Sequence, residues 1–339
     1  MRTRAVVLGV AAVAALLLAG CGGRQRVAGA SPHAAGTGAP QQPPAHVDDC
    51  LDKLGRERHV LAACRSDDAT FERMDGPGPL PWQAVNTGEI SALEQALPDL
   101  AIETLLVLRW TDRAVVVTRA RGTHRAALGE LAPTGRALAW LSALELDLAA
   151  DGRVRAARAY QDGLTLYGQL GLWAGAYRST DDAARAPSGR ARGDTPAAGP
   201  GAAGEPDVAM INACLEAWNR HDQVAARACY SADAVLHDLG APADVRGGDL
   251  DGALAATFAA FPDGQWTGTP RAAGPWVVVA ASFSGTRQGA LPALGLHKTS
   301  TPVAVTSHEL HLFQLAGGRI TEHWIFRDAL ALARKLGVK

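Results

Sequence analysis

The second half of this chain repeats the first, so the fold must be one that can be built twice in tandem. Cys50-Leu51 aligns with Cys214-Leu215, and Ser66, Asp68 and Ala69 align with Ser231, Asp233 and Ala234. Pro98-Asp99 aligns with Pro262-Asp263, Val115–Val117 with Val277–Val279, and Gly122-Thr123 with Gly285-Thr286. Asp162 aligns with Asp328, and Leu170-Gly171 with Leu336-Gly337. The spacing between matched positions drifts only from 162 to 166 residues. An ordered set of weak matches at nearly constant spacing marks a duplication. The total of 339 residues also exceeds what one core organises. The repeat predicts folded blocks at 47–177 and 207–339, separated by an Ala-, Gly- and Pro-rich flexible linker over 178–206.

Each block has the same grammar. Helices are predicted at 48–63 and 87–96 in the first copy, and at 208–220, 223–230 and 249–261 in the second. β-rich runs follow at 102–110, 113–121, 136–148 and 153–161, and again at 265–270, 275–284, 302–315 and 319–327. Gly317-Gly318 separates two long runs as a hairpin turn does, and Asp328 to Gly337 reads as a capped closing helix. Helices first and an antiparallel sheet after them give an α+β class with helices covering one sheet face.

Residues 1–20 carry a different message. A basic head, Met1–Arg4, precedes an uncharged apolar run from Ala5 to Gly20, which suits an export signal better than a spanning helix. The run ends in Leu18-Ala19-Gly20-Cys21 and resembles the lipobox of bacterial lipoproteins. That resemblance implies that Cys21 is acylated and that the protein sits lipid-anchored in the bacterial cell envelope, outside the cytoplasm. The Gly-, Ala-, Pro-, Gln- and Ser-rich composition of the following residues makes 21–46 a disordered tether. With Cys21 assigned to lipid, four cysteines remain. The repeat selects one pairing of three, Cys50 with Cys64 and Cys214 with Cys229, as expected in an oxidising compartment.

Phe261-Pro262-Asp263, the Phe283 to Gly289 run, and Glu322-His323-Trp324 followed by Asp328 resemble the SnoaL-like polyketide cyclases. The resemblance implies two tandem nuclear transport factor 2-like cone domains, each a curved sheet wrapped by helices around an apolar pocket. It also implies chemistry on a small hydrophobic carbonyl compound by a carboxylate and a histidine, without metal or cofactor. Asp328 is the expected general base, with His323, His311 and His308 as candidate partners. Strand alternation assigns Glu322, Trp324 and Phe326 to the face of Ile320 and Asp328. Trp266, Trp276 and Phe283 are further candidate pocket residues. His323 has opposite parity to Trp324, and His308 to His311, so one of each pair is expected to face away from the pocket. The first copy has Ala156-Ala157-Arg158 in place of Glu322-His323-Trp324, so it is expected to be the degenerate one. The competing reading is a non-catalytic module that binds a ligand or a partner protein.

Other functions find no footing. The net charge of −1 gives no footprint for nucleic acid. No Gly-rich loop precedes a helix as a phosphate cradle, and no zinc-type spacing is complete. The family implies that its domains commonly pair through the open sheet face, so the duplicated chain is expected to form an internal pseudo-dimer.

Overall fold

The computed structural model describes residues 64–74, 76–181, 185–193, 204–294, 296 and 301–338. The expected signal segment, Cys21, the expected tether, the helix predicted at 48–63 and Cys50 lie outside the described residues. The fold is α+β, two tandem domains with a large sheet each.

In the first domain, β1 (Arg65–Arg73) and β2 (Leu80–Pro81) precede two short helices, α1 (Trp82–Val85) and α2 (Ser91–Ala96). Then come β3 (Ala101–Arg109), β4 (Arg113–Thr123), β5 (Ala137–Leu148), β6 (Val154–Gln161), α3 (Gly163–Leu170) and β7 (Gly189–Arg192). The second domain runs α4 (Glu205–Asn219), α5 (Gln223–Ala228), β8 (Tyr230–Asp238), β9 (Val245–Arg246) and α6 (Asp249–Ala260). It continues with β10 (Gln265–Gly268), β11 (Arg271–Ala273), β12 (Trp276–Arg287), β13 (Val303–Ala316), β14 (Arg319–Arg327) and α7 (Ala329–Lys335). The sheets are ordered β2-β1-β6-β5-β4-β3-β7 and β10-β12-β13-β14-β8-β9, with β11 pairing β12.

The four long runs of each copy fall within a few residues of expectation, because long alternating Val, Leu and Ala segments suit a half-buried sheet. Several strands are new, and two of them, β1 and β8, are long. Ser66 and Ser231, just past the ends of predicted helices, lie in these strands, where no β-run is expected. Their Asp- and Ala-rich sequences have little strand propensity; parallel pairing with β6 and β14 holds them. Part of the expected linker is also built into the fold. Residues 189–192 pair with β3, and Arg178 is buried, donating to Asp244 Oδ1 at 2.8 Å and to the Asp238 carbonyl at 2.8 Å.

The sheets pair alike but not by the sequence alignment in every strand. Val277 and Val279 face the helices of their domain, and the residues in the same register of β4 are Ala114 and Val116. Val115 and Val117 face the other way. A one-residue slip moves a side chain to the opposite face, so the Val-Val-Val match is out by one.

Cys214 and Cys229 are disulfide-bonded, 6.0 Å apart at Cα, and join α4 to the end of α5. A loop of this length is worth about 3 kcal/mol in the chain-entropy account. Cys64 is buried, while its expected partner Cys50 lies outside the described residues.

One buried cluster draws on both sheets. Leu106, Leu108, Val115, Val117, Leu141 and Tyr160 of the first domain meet Trp276, Val278, Leu310, Leu312, Trp324 and Phe326 of the second. Polar links flank it. Trp110 Nε1 donates to the Ala272 carbonyl at 2.8 Å, and Arg271 binds Asp112 at 3.0 and 3.2 Å.

Candidate functional site

Alternation on β13 sends Glu309, His311 and Phe313 to the helix-covered face and Leu310 and Leu312 to the other. The β14 strand carries a one-residue bulge at Thr321, between the pairs Leu315–Ile320 and Gln314–Glu322. Beyond it, His323 stands opposite Phe313 and Arg327 opposite Glu309. Without the bulge, the tight Gly317-Gly318 turn would set His323 opposite Leu312, on the far face. The bulge therefore brings His323 to His311.

The result is a continuous buried chain. Tyr230 Oη lies 2.9 Å from His323 Nδ1, His323 Nε2 lies 2.9 Å from His311 Nδ1, and His311 Nε2 lies 3.1 Å from Glu309 Oε2. Glu309 also accepts from Trp266 Nε1 at 3.1 Å, Ser307 Oγ at 3.3 Å and Arg327 at 3.0 Å. Arg327 in turn binds Asp238. With one proton on each imidazole, and a carboxylate that only accepts, the bonds run in one direction. Tyr230 donates to His323, His323 to His311, and His311 to Glu309. Tyr230, Glu309, His311 and His323 are each at most 2% exposed, so the chain is dry.

Electrostatics agrees with that direction. Burial, which alone would raise the Glu309 pKa, is outweighed by Arg327 and His311, and the carboxyl is held well below the usual range. Burial lowers His323 well below 6.5, so its imidazole is neutral. Aromatic rings frame the chain. Trp218 stacks on His323 at 5.6 Å and Phe313 at 4.3 Å. Trp266 meets Phe283 at 4.7 Å and is fixed by Asn219, which accepts from its backbone N–H at 2.7 Å and donates to its carbonyl at 2.9 Å.

Of the residues singled out from the sequence, His311, His323, Trp266 and Phe283 share this face. The others do not. Trp324, Phe326 and Trp276 lie in the cluster between the sheets, and Glu322 accepts from Trp324 Nε1 at 3.3 Å. The alternation from Ile320 to Trp324 is broken by the Thr321 bulge, which leaves Ile320 on the helix side and Trp324 on the other. His308 has the parity of Leu310 and so lies away from the chain. Asp328 is the N-cap of α7, accepting from the Ala331 N–H at 2.9 Å, as Asp162 caps α3. A Cβ at Gly163 would stand 3.2 Å from Asp328 Oδ1, so this carboxylate abuts the first domain's closing helix. Burial of Asp162 raises its pKa to about 7, against the bonds it accepts from Thr165.

Tyr230, Glu309, Arg327 and Trp218 were not singled out from the sequence. The one readable signal was Glu309-x-His311, two polar groups on one face of an otherwise apolar strand. In the first domain the same register positions hold Arg65, Ser142, Leu144, Ala157 and Gln161 in place of Tyr230, Glu309, His311, His323 and Arg327. The whole chain is absent there. Among the described residues no group of His, Cys, Asp and Glu is placed to hold a metal ion, and no helix is long and apolar enough to cross a membrane.

The pattern of the family described as SnoaL-like polyketide cyclase matches residues 72–170 and 208–336. No curated protein matches the chain. Several solved structures do. A Catenulispora acidiphila protein with a ketosteroid isomerase-like fold, in complex with trimethylamine, is 23% identical. The match covers 38% of this chain and 93% of that one, with a TM-score of 0.32. TsrD of Streptomyces laurentii is 21% identical over 40% of this chain and 99% of its own, with a TM-score of 0.35. An M. tuberculosis LEH-like epoxide hydrolase is 18% identical over 39% and 89%, with a TM-score of 0.30.

Proposed function

The chain belongs to the SnoaL-like polyketide cyclase family, and from that premise we propose that its second domain is a cofactor-independent acid–base catalyst of cyclase or isomerase type. Its substrate is a small hydrophobic carbonyl compound, and its first domain is a non-catalytic companion. One observation carries this reading: the one-way chain Tyr230–His323–His311–Glu309, present in the second domain and replaced throughout in the first. Such a chain takes up one proton and returns it. Uptake at the Tyr230 end shifts one proton to His323 and one from His323 to His311, leaving a His311 imidazolium against the Glu309 carboxylate; release reverses every step. In the substrate, the C–H pair passes into the enolate and reforms the bond on return. His311 and Glu309 are the acid–base pair, and Trp266 and Phe283 supply the apolar walls. Asp328 serves the helix cap instead of the proton transfer.

A second reading has its own support. Every polar atom of His323, His311 and Glu309 already has a partner within the chain, as a domain that holds a ligand without turning it over would have. One experiment separates the two. Small hydrophobic ketones and β-keto esters are incubated with the protein in D2O, and exchange at the α-carbon is followed by proton NMR. Catalysed exchange that falls at least 100-fold in His311→Gln and persists in Asp328→Asn supports the acid–base reading. Binding without exchange supports the second. Loss in Asp328→Asn with His311→Gln active would move the base to Asp328.

We further propose that the protein is exported and tethered by lipid on Cys21, on the strength of the basic head, apolar run and lipobox-like end of residues 1–21. Replacing Cys21 by alanine should move the protein from the membrane fraction to the soluble one. Unchanged fractionation would refute the tether.

A further inference from the structure

The two sheets do not close on each other along their whole length. A cavity of about 330 Å³ remains between them, walled by Trp110 and Val115 on one side and Val278 and Ala280 on the other. We propose that this cavity is a second ligand site, distinct from the helix-covered site of the second domain, and that it binds a small amphipathic carboxylate. Arg113 takes the carboxylate, and the apolar body lies between Trp110 and Val278.

The cavity is polar where a plain sheet contact would be apolar. Glu145 lines it and is 3% exposed, while the same register position in the second domain is Leu312. The first domain sets Arg113, Glu145, Asp147 and Arg158 together on this inter-sheet face. Both arginines stay about a third exposed, so the inter-sheet face is open to solvent at this end instead of closing into a dry apolar contact. Apolar walls such as Trp110, Val115 and Val278 with a few convergent charged groups are the make-up of a small-molecule site.

The ligand's charge follows from what the wall has left to offer. The carboxylates are occupied: Glu145 by Arg113 and by Arg158 at 3.4 Å, and Asp147 by Arg158 at 2.8 and 3.2 Å. Arg113, by contrast, is a third exposed; its Nη1 binds Glu145, but its Nη2 stands 3.9 Å from Asp147, beyond hydrogen-bond distance, and keeps donors to offer. Arg271 also lines the cavity, with its guanidinium 5.8 Å from the centre of the Trp110 ring. An incoming group thus meets spare donors and satisfied acceptors, which favours a carboxylate. The Trp110 wall is rigid, because its Nε1 is bonded to Ala272 and its face is covered by Arg271, itself held by Asp112. Both domains build the site, so either alone lacks it.

The test uses the full-length chain and isothermal titration with 4-phenylbutyrate against 4-phenylbutanol. The proposal expects the acid to bind at least tenfold tighter than the alcohol, a preference that Arg113→Met removes. Ala280→Trp fills the cavity, and Thr269→Trp narrows its exposed rim without touching packed residues. Each should weaken the acid at least tenfold, with the melting curve of Thr269→Trp unchanged. Failure of the wild type to bind the acid overturns the proposal. So does binding that survives both tryptophans, which would belong to the second domain's own interior.

Discussion

Replacing Glu309 by alanine is expected to destabilise the second domain by about 3–5 kcal/mol, the cost of removing one partner from a buried ionic network. Four donors converge on this carboxylate, from Trp266, Ser307, His311 and Arg327. Without it, Arg327 keeps only Asp238, and His311 donates to nothing. Glu309→Gln should cost less, because an amide oxygen still accepts from two of the donors, but its NH2 then faces Arg327 or Trp266. Urea unfolding read by tryptophan fluorescence gives both values. A loss below about 1 kcal/mol for the alanine variant would show that the network is not held together at Glu309.

The same network sets the pH dependence. His323 has its folded-state pKa well below 6.5, so the unfolded chain binds a proton there that the folded chain refuses. The contribution of His323 is therefore fully present above about pH 6.5 and is lost as pH drops below it. Glu309 acts in the same direction at lower pH. Its folded pKa lies below the ordinary 4.5, so its contribution is present above that value and is lost as pH falls through the folded pKa. Asp162, raised to about 7 by burial, acts the other way between pH 7 and pH 4. The His323 contribution is therefore read against His323→Phe. The advantage of the wild type over that variant in melting temperature should shrink from pH 7 to pH 5, and the loss below pH 4.5 should remain in both.

The fold was legible because duplication is a long-range signal. Two copies of the same turn and strand pattern support each other, and the eight long runs fall close to where they were expected. The site was legible only in part, because it depends on register, which single residues control. His311 and His323 stood out as residue types, but nothing in the sequence around Thr321 announces the bulge that turns them to one face. The same bulge sends Trp324 and Phe326 away from the face assigned to them by simple alternation. Tyr230 went unnoticed for a different reason. It opens a strand whose Ser, Asp and Ala residues read as the end of a helix, and only the parallel neighbour β14 makes it a strand. Asp328 recurs in both copies because each closing helix needs its cap.

Trp324→Ala is expected to cost about 3–5 kcal/mol, and to act on the union of the two domains instead of on chemistry in the second. Its ring lies flat on His237, 3.7 Å between centroids and 9° from parallel, and it joins the cluster shared by both sheets. Truncation leaves a large void in the cluster that joins Leu312 and Phe326 to the first domain's Tyr160 and Leu141, where rigid strands cannot collapse to fill it. Because the cluster is common to both domains, the wild type should melt in one calorimetric transition. The variant should melt in two, with the first domain released early. The chain Tyr230–His323–His311–Glu309 lies on the opposite side of the sheet, so α-proton exchange should survive at temperatures below the first transition. A single unshifted transition with exchange abolished would return Trp324 to the ligand pocket. The hydrophobic residue beside His323 in sequence is thus set apart from it in space, and the measurement reads that separation directly.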